Sequence, residues 1–516
     1  VKTVDLVIVG AGFGGSLLAM VARRLGRSVA LIERGQHPRF AIGESTSPLT
    51  NLLLEEIAHR YDLPRLLPLA SFGAWQRAYP HLGVGLKRGF TYFGHTAGQP
   101  FSRCADRSDQ LAVAASPGDD CADTHWLRAD VDAFLAEEAA SLGADYRDRT
   151  TIHALERAGD GLWRLVGVRD GASTTVQARF LVDASGPRGF LYRALGLREA
   201  AFPGYPPTQA LFSHFTGVRR VEAMAEFAPT GGAHPPYPLD DAALHHVFDG
   251  GWMWVLHFGN GVTSAGFSVQ QWLGDELGLT IDAPELVWRR FLTRFPGIGA
   301  QFRDAVPVQP WHVSPQLSFR TERAVGDGWA MLPSAAGFID PLFSTGFPLT
   351  LLGVQRLGRW LESGAPSDAG ALAEYAATTF EELDWTADFV GAHHRAMGRF
   401  PHFAALSMVY FAAASYAELL RRLGRHDDAF RYLSANDPVF RAGIARCERE
   451  PDLCPREFAR KIADDIAHKN VAGLADPAKG NWYGVDLSDV VRGAEKLGFT
   501  PDRMREIIAT ADWARC

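Results

Sequence analysis

Long hydrophobic runs, paired cysteines and an excess of one charge are all missing from this chain. Its 516 residues carry a net charge of −7 and no dense Lys/Arg run, which argues against a nucleic-acid surface. The five cysteines (Cys104, Cys121, Cys447, Cys454, Cys516) are odd in number, scattered and without metal-site spacing. They suggest a reducing, cytoplasmic setting rather than a disulfide framework, and no metal site is expected. No apolar run approaches the ~20 residues of a membrane span, and no basic-then-apolar leader precedes the first strand pattern at Val4. Internal repeats, low-complexity tracts and a Ser/His/Asp constellation are also absent. What remains is 47% hydrophobic and 22% charged, an ordinary globular balance, with 13 Trp and 32 Phe that could line an aromatic cavity. The length predicts roughly two to four domains.

The most informative stretch is Val4 to Arg34. Val4 to Val9 is an apolar, β-branched run that reads as a buried parallel strand. Gly10, Gly12 and Gly15 then fit Gly-x-Gly-x-x-Gly around Phe13, and Leu17, Leu18, Met20, Val21 and Leu25 repeat at helical spacing. A second strand, Ser28 to Ile32, ends on Glu33. Such glycines let the backbone approach a pyrophosphate, and the helix N-terminus offers unpaired N–H groups and partial positive charge. An acid about 20 residues on accepts from a ribose 2′-OH. The stretch predicts a dinucleotide site and leaves NAD and FAD open.

Further along, Ser47-Pro48 reads as a helix start. Residues 70–101 read as strands and loops, 126–143 as an amphipathic helix, and 145–168 as strands. Val176 to Asp183 is a second apolar strand, ending in a turn with Gly186. Two alternating runs flank Asn260-Gly261, a strong hairpin signal. Beyond about Thr378 the pattern is helical to the end.

The order of these motifs resembles the FAD-dependent aromatic hydroxylases of the p-hydroxybenzoate hydroxylase type. It runs from the N-terminal glycines through Asp183-Ala184-Ser185-Gly186 and a β-rich insertion to Asp340-Pro341 with Gly346. Within that superfamily the chain looks most like the flavin-dependent halogenases. IGESTSP (Ile42 to Pro48) is similar to their flavin-proximal loop, and Trp252-Met253-Trp254-Val255-Leu256 matches most of their Trp-x-Trp-x-Ile-Pro signature. GFIDPLFSTG (Gly337 to Gly346) is close to their flavin and halide loop, and Lys87 falls where phenol and pyrrole halogenases carry a catalytic lysine. The resemblance covers residues 4 to 365. It departs at His257, where the signature has Pro, and at Pro333-Ser334, where the family has Gly-Asp; Ser334 thus offers a hydroxyl where a carboxylate normally meets the ribityl chain.

The resemblance implies an α/β fold. A Rossmann-like FAD-binding domain spans 1–200 and 321–377, with segments of 70–120 contributing to the substrate site. An antiparallel β substrate domain is inserted over 201–320, and a helical C-terminal region spans 378–516. FAD contacts are expected from Gly10, Gly12, Phe13, Gly15, Glu33 and Arg34 at the adenosine end. Glu44, Ser45, Arg128, Asp183, Gly186, Ser334, Asp340, Pro341 and Gly346 are expected along the rest.

If a helix begins near Phe347, the Thr345 and Gly346 amides form an anion site for chloride or bromide. The same helix end could instead support charge on a reduced flavin, which hydroxylases also need. In a halogenase, reduced flavin and O2 give a hydroperoxide that halide attacks, forming hypohalous acid. Lys87 would hydrogen-bond that acid or become a haloamine, helped by a lowered pKa among aromatics. The plain alternative is a solvated Lys beside Arg88 on a sheet edge. Trp252 and Trp254 share a face with Leu256 and either wall off the flavin or pack as core. His257 faces the other way and is a base for a phenol or a satisfied structural group. His37 and His393-His394 receive no role.

The expected activity is FADH2- and O2-dependent halogenation of an electron-rich aromatic, phenol or pyrrole, free or carrier-tethered. A separate flavin reductase is expected because no NADPH motif is seen. The alternatives are an aromatic hydroxylase and a non-catalytic flavoprotein. The C-terminal helices could cover the substrate mouth or form a homodimer contact.

Overall fold

The computed structural model describes residues 3–228, 234–364, 369–425, 430–511 and 513, so Cys516 lies outside it. β1 (Thr3–Val9), α1 (Phe13–Arg24) and β2 (Val29–Ile32) form the expected strand–turn–helix–strand. β2 is buried along its whole length, as are Leu17, Leu18, Met20 and Val21 of α1, so the apolar periods of the sequence are the faces that pack. Gly10 leaves β1 at φ 104°, in the left-handed region, and a Cβ there would lie 2.5 Å from the Ala184 carbonyl oxygen. α2 (Pro48–Arg60) starts as expected, with Ser47 and Thr50 exchanging backbone-to-side-chain hydrogen bonds. α3 (Phe72–Ala78) is a helix where strands and loops were expected. Seven residues are too few to show a helical period, and burial of Trp75, whose indole N–H reaches the Leu82 carbonyl at 3.3 Å, fixes it.

The chain continues through β3 (Val84–Lys87), β4 (Gly89–His95), β5 (Gln110–Ala114) and β6 (Asp123–Trp126). After these come α4 (Arg128–Ser141), β7 (Asp145–Arg147), β8 (Thr150–Arg157), β9 (Trp163–Arg169) and β10 (Ala172–Asp183). β7, β2, β1, β10 and Trp329–Met331 run parallel in that order, and β9 and β8 extend from β10 as an antiparallel pair. Val9 sits beside Asp183 in this register, so the glycine turn and the Asp183–Gly186 turn emerge at one edge.

The second sheet is built on β11 (Thr208–Thr216), β12 (Ala243–Phe248), β13 (Gly251–His257) and β14 (Thr263–Gln270). Its order is β11-β14-β13-β12-β4-β5, followed by Trp482–Tyr483. β12 runs parallel to β4, and Trp482–Tyr483 runs parallel to β5. The sheet is therefore mixed, not purely antiparallel, and it takes strands from before residue 200 and from the tail. The tail is correspondingly not all helix. Two strand residues between Gly480 and Gly484 carry no readable period, yet they cover the otherwise unpaired edge of β5. The β13–β14 hairpin forms as expected, its Gly261 at φ 82°. Trp252, Trp254 and Leu256 join the main core, while Met253 and Val255 join a second core behind the sheet.

The helix Phe400–Arg422 corrects the expectation about hydrophobic length. Its 23 residues are long and apolar enough to cross a membrane, but 67% of its apolar window is buried inside the protein. Phe403 packs on Tyr92, and Tyr410 on Phe90 and Phe343.

Candidate active site

Two helix N-termini open side by side. α1 begins at Phe13 after the glycine turn, and the helix Gly346–Glu362 begins at Gly346. They pack tightly enough that a Cβ on Gly14 would lie 2.7 Å from Thr350 Cγ2. Phe13 and Phe347 stack 4.6 Å apart, and Trp126 meets both edge-on. The Arg128 guanidinium lies 4.9 Å over Phe13 and 5.9 Å from Phe347. It donates twice to Asp132, at 2.9 Å each, and to the Ile42 and Gly43 carbonyls, also at 2.9 Å. One arginine thus joins both helix starts to the Ile42–Pro48 loop.

The cleft fits a dinucleotide diphosphate. A Cβ at Gly15 would strike the Gly10 carbonyl at 2.0 Å, so that turn is closed on the protein side. At Gly12 the nearest groups are Arg128, Asp132 and Arg39, and at Gly346 and Gly186 nothing lies within 4 Å. The unpaired amides of both helices and two guanidinium groups therefore face open space suited to a dianion. Glu44 Oε2 and Ser45 Oγ, in the loop that Arg128 holds, are buried without a hydrogen-bond partner.

Several expected cofactor residues do other work. Glu33 accepts from the Ala11 and Gly35 amides and from Arg39 at 2.9 Å, so its carboxylate organises the glycine turn. Burial raises its pKa, but Arg39 and these amides outweigh that and hold it below the ordinary value. Arg34 is exposed and Ser334 half-buried. Asp183 turns back on its own loop, accepting from Ser185 N–H at 2.8 Å, Ser185 Oγ at 2.5 Å and Leu191 N–H at 2.6 Å. Asp340 is likewise enclosed. Oδ1 accepts from Trp252 Nε1 at 3.1 Å and Leu342 N–H at 2.9 Å, and Oδ2 meets Ser268, Tyr205 and His394 at 2.7, 2.9 and 3.2 Å. The side chains of Asp183 and Asp340 thus anchor their own loops. Asp340, with five partners, has no lone pair left to reach outward, whereas Asp183, with three, keeps one on Oδ2.

After Asp340 and Pro341 the chain is strained. Phe343 and Ser344 hold φ of 64° and 56°, a left-handed conformation that costs a non-glycine residue on the order of 1–3 kcal/mol. The C-terminal helices supply the restraint. Phe343 stacks on Tyr410 at 4.6 Å and meets His393 edge-on at 4.7 Å, and Tyr410 OH donates to the Phe343 carbonyl at 2.9 Å. Thr345, buried, then stands just before the Gly346 helix without a side-chain hydrogen bond to its first turn.

Lys87 is not a solvated edge lysine; it is 0% exposed. Nζ donates to the Thr46 carbonyl, lies 3.5 Å from Ser344 Oγ and sits 3.9 Å from the centre of the Phe90 ring. Burial pushes its pKa down, opposed by the Asp123 carboxylate. From Phe90 a chain of rings runs through Tyr92 and His245 to Trp252, in successive contacts of 6.3, 4.7 and 5.2 Å. Tyr92 OH and His245 Nδ1 are buried without partners. Trp252 is 1% and Trp254 6% exposed, their rings 5.7 Å apart on the chamber side of β13.

His257 is held between Thr263 Oγ1 at 3.0 Å and buried Asp240 Oδ1 at 3.2 Å, a satisfied structural group. Glu44 Oε1 meets His214 Nε2 at 2.7 Å, tying the Ile42–Pro48 loop to β11. Arg39, Asp123, His214, Tyr92 and His245 escaped sequence reasoning. Only the Lys87–Arg88–Gly89–Phe90 setting hinted at this chamber, and the other residues come together through pairing across the sheets.

A sequence profile of the tryptophan halogenase family matches residues 124–401, and a profile of NAD(P)-binding Rossmann-like domains matches residues 8–63. The chain is 30% identical to tetracycline 7-halogenase of Kitasatospora aureofaciens, over 98% of this chain and 91% of that one. It is 32% identical to monodechloroaminopyrrolnitrin halogenase PrnC of Pseudomonas fluorescens, over 77% and 68% respectively. The fold superposes on the crystal structure of halogenase PltM in complex with phloroglucinol and FAD. That match has a TM-score of 0.80 and 25% identity, covering 92% of this chain and 99% of that one. With its glycine cleft, buried lysine and paired helix starts, the chain belongs to the flavin-dependent halogenases, FAD-dependent oxidoreductases of the tryptophan halogenase family.

Proposed function

We propose that this enzyme halogenates a small phenol-type aromatic and that Lys87 delivers the halogen. The observation that carries the reading is a lysine enclosed among aromatic rings and held by Thr46 and Ser344, one residue from the Thr345–Gly346 helix start. Bound FAD, reduced by a separate flavin reductase and exposed to O2, supplies the oxidising power that turns halide into hypohalous acid. The chain does the rest. The turn at Gly10–Gly15, with Arg39 and Arg128, holds the diphosphate, while the Thr345 and Gly346 amides hold halide at a helix dipole. Trp252 and Trp254 separate the cofactor side from the substrate side. Lys87 donates a hydrogen bond to the hypohalous acid and aims its halogen at the ring, and Tyr92 and His245 offer unpaired groups to a substrate hydroxyl. Phloroglucinol, a triphenol found bound to the PltM relative, supports the phenol class.

The test is purified protein with FADH2, O2, bromide and a panel of phloroglucinol, simple phenols and pyrroles, read by mass. Brominated phenols are expected. Lys87→Ala should abolish them while flavin uptake stays unchanged. Products that gain oxygen and never bromine would overturn the proposal.

A further inference from the structure

Lys87 and Asp123 stand opposite each other in the antiparallel β3–β6 ribbon, as do Gly85 and His125. Opposite residues on such a ribbon project from the same face, so the amine and the carboxylate share one side. Both are buried, at 0% and 3% exposure. They nonetheless form no ion pair within 4.0 Å. Asp123 Oδ1 accepts from Asn51 Nδ2 at 2.8 Å, and Oδ2 has no hydrogen-bond partner. A buried carboxylate oxygen without a donor is costly unless a positive charge lies near.

We propose that Asp123 is the positioning residue that keeps Lys87 charged from across the ribbon while leaving one lysine N–H free for the halogen-bearing species. This rests on the reading of Lys87 as the halogen relay. An ammonium has three N–H donors. Thr46 takes one, Ser344 faces a second, and the third has no acceptor among the described residues. A direct salt bridge would occupy that third donor; a carboxylate held further off stabilises the charge without taking it.

The groups facing the pair leave it little other compensation. On the Lys87 side stand His125 of β6 and His245 of β12, both kept far below the ordinary histidine pKa by burial, hence neutral at pH 7. On the Asp123 side stand Asn51 of α2 and, from the Phe400–Arg422 helix, Tyr410, Glu418 and Arg422. Arg422 is engaged by Glu418 at 2.8 Å, which leaves Lys87 as the main cation acting on Asp123. Burial lowers the lysine and raises the aspartate, and each charge opposes that shift in the other.

The chain has six lysines, few enough to follow by NMR of the FAD-loaded protein with 13C at lysine Cε. Lys87→Met assigns the resonance. Asp123→Asn, which keeps the acceptor for Asn51, should lower the pH at which Lys87 loses its proton by about one unit or more. The lysine limb of the kcat–pH profile for phloroglucinol bromination should move the same way, with KM little changed. Asn51→Ala, acting from behind Asp123 and outside the chamber, should give a smaller shift of the same sign. Lys87 titrating at an unchanged pH in both folded variants overturns the proposal. An active Lys87→Ala enzyme would instead sink the relay reading, even if the Asp123→Asn shift were observed.

Discussion

Trp252 and Leu342 donate to the same oxygen of Asp340, at 3.1 and 2.9 Å, so strand β13 and the loop that leads into the Gly346 helix share one acceptor. Asp340 has three further donors on Oδ2, and together they keep it charged below the ordinary carboxylate pKa despite complete burial.

Trp252→Phe should remove one of these donors and cost about 1–2 kcal/mol of stability, as loss of a hydrogen bond to a charged acceptor does. The Asp340 loop should loosen with it, and more hypohalous acid should escape to a dye scavenger in solution per turnover. Urea midpoints and the scavenger assay check the two parts. An unchanged escape rate would mean that the indole only fills space.

Arg128→Ala should be the more damaging change. It leaves Asp132, at 0% exposure, as a buried carboxylate without its main partner, a loss of about 3–5 kcal/mol. The double change with Asp132→Ala should recover much of that stability. Both variants should still bind FAD more weakly than wild type, because the Ile42 and Gly43 carbonyls lose their donor. Fluorescence titration with FAD separates the two effects.

Acid should destabilise the fold before its carboxylates titrate. His246 is pushed down to about 4, and His245 and His393 to about 3, all by burial. Unfolded histidines take up protons near pH 6.5, while these three stay neutral in the folded chain. The unfolded state therefore binds more protons between about pH 6.5 and 4, and stability falls as pH drops through that window. At pH 5 the loss is about 2 kcal/mol per histidine. Replacing His246 by Gln should lower stability at pH 7, where Gln301 and His95 lose their partner, yet flatten the acid slope. Urea melts from pH 7.5 to 5 check this, and parallel slopes would refute it.

What could be read from the sequence follows from how local each signal is. The Val4–Arg34 unit, the Ser47 cap and the Asn260-Gly261 hairpin were legible because each is set by neighbours within a few residues. The alternation in β13 even told which residues share a face, since strand period alone decides that. The partners of Asp183 and Asp340 were not legible, because motif position does not show which donors surround a carboxylate. The setting of Lys87 was beyond reach for the same reason. Asp123 pairs with it across 36 positions, and Ser344 approaches from 257 residues away.

The edge strand Trp482–Tyr483 gives the protein an order of assembly. Trp482 bonds Gln110 across 372 residues, so a ribosome must add that length of chain after β5 before the sheet edge is covered. Until then the β5 edge stands open, and a product stopped short of this pair would offer unpaired backbone to any neighbouring strand. A two-residue strand far along the chain thus protects the sheet from pairing with a second copy.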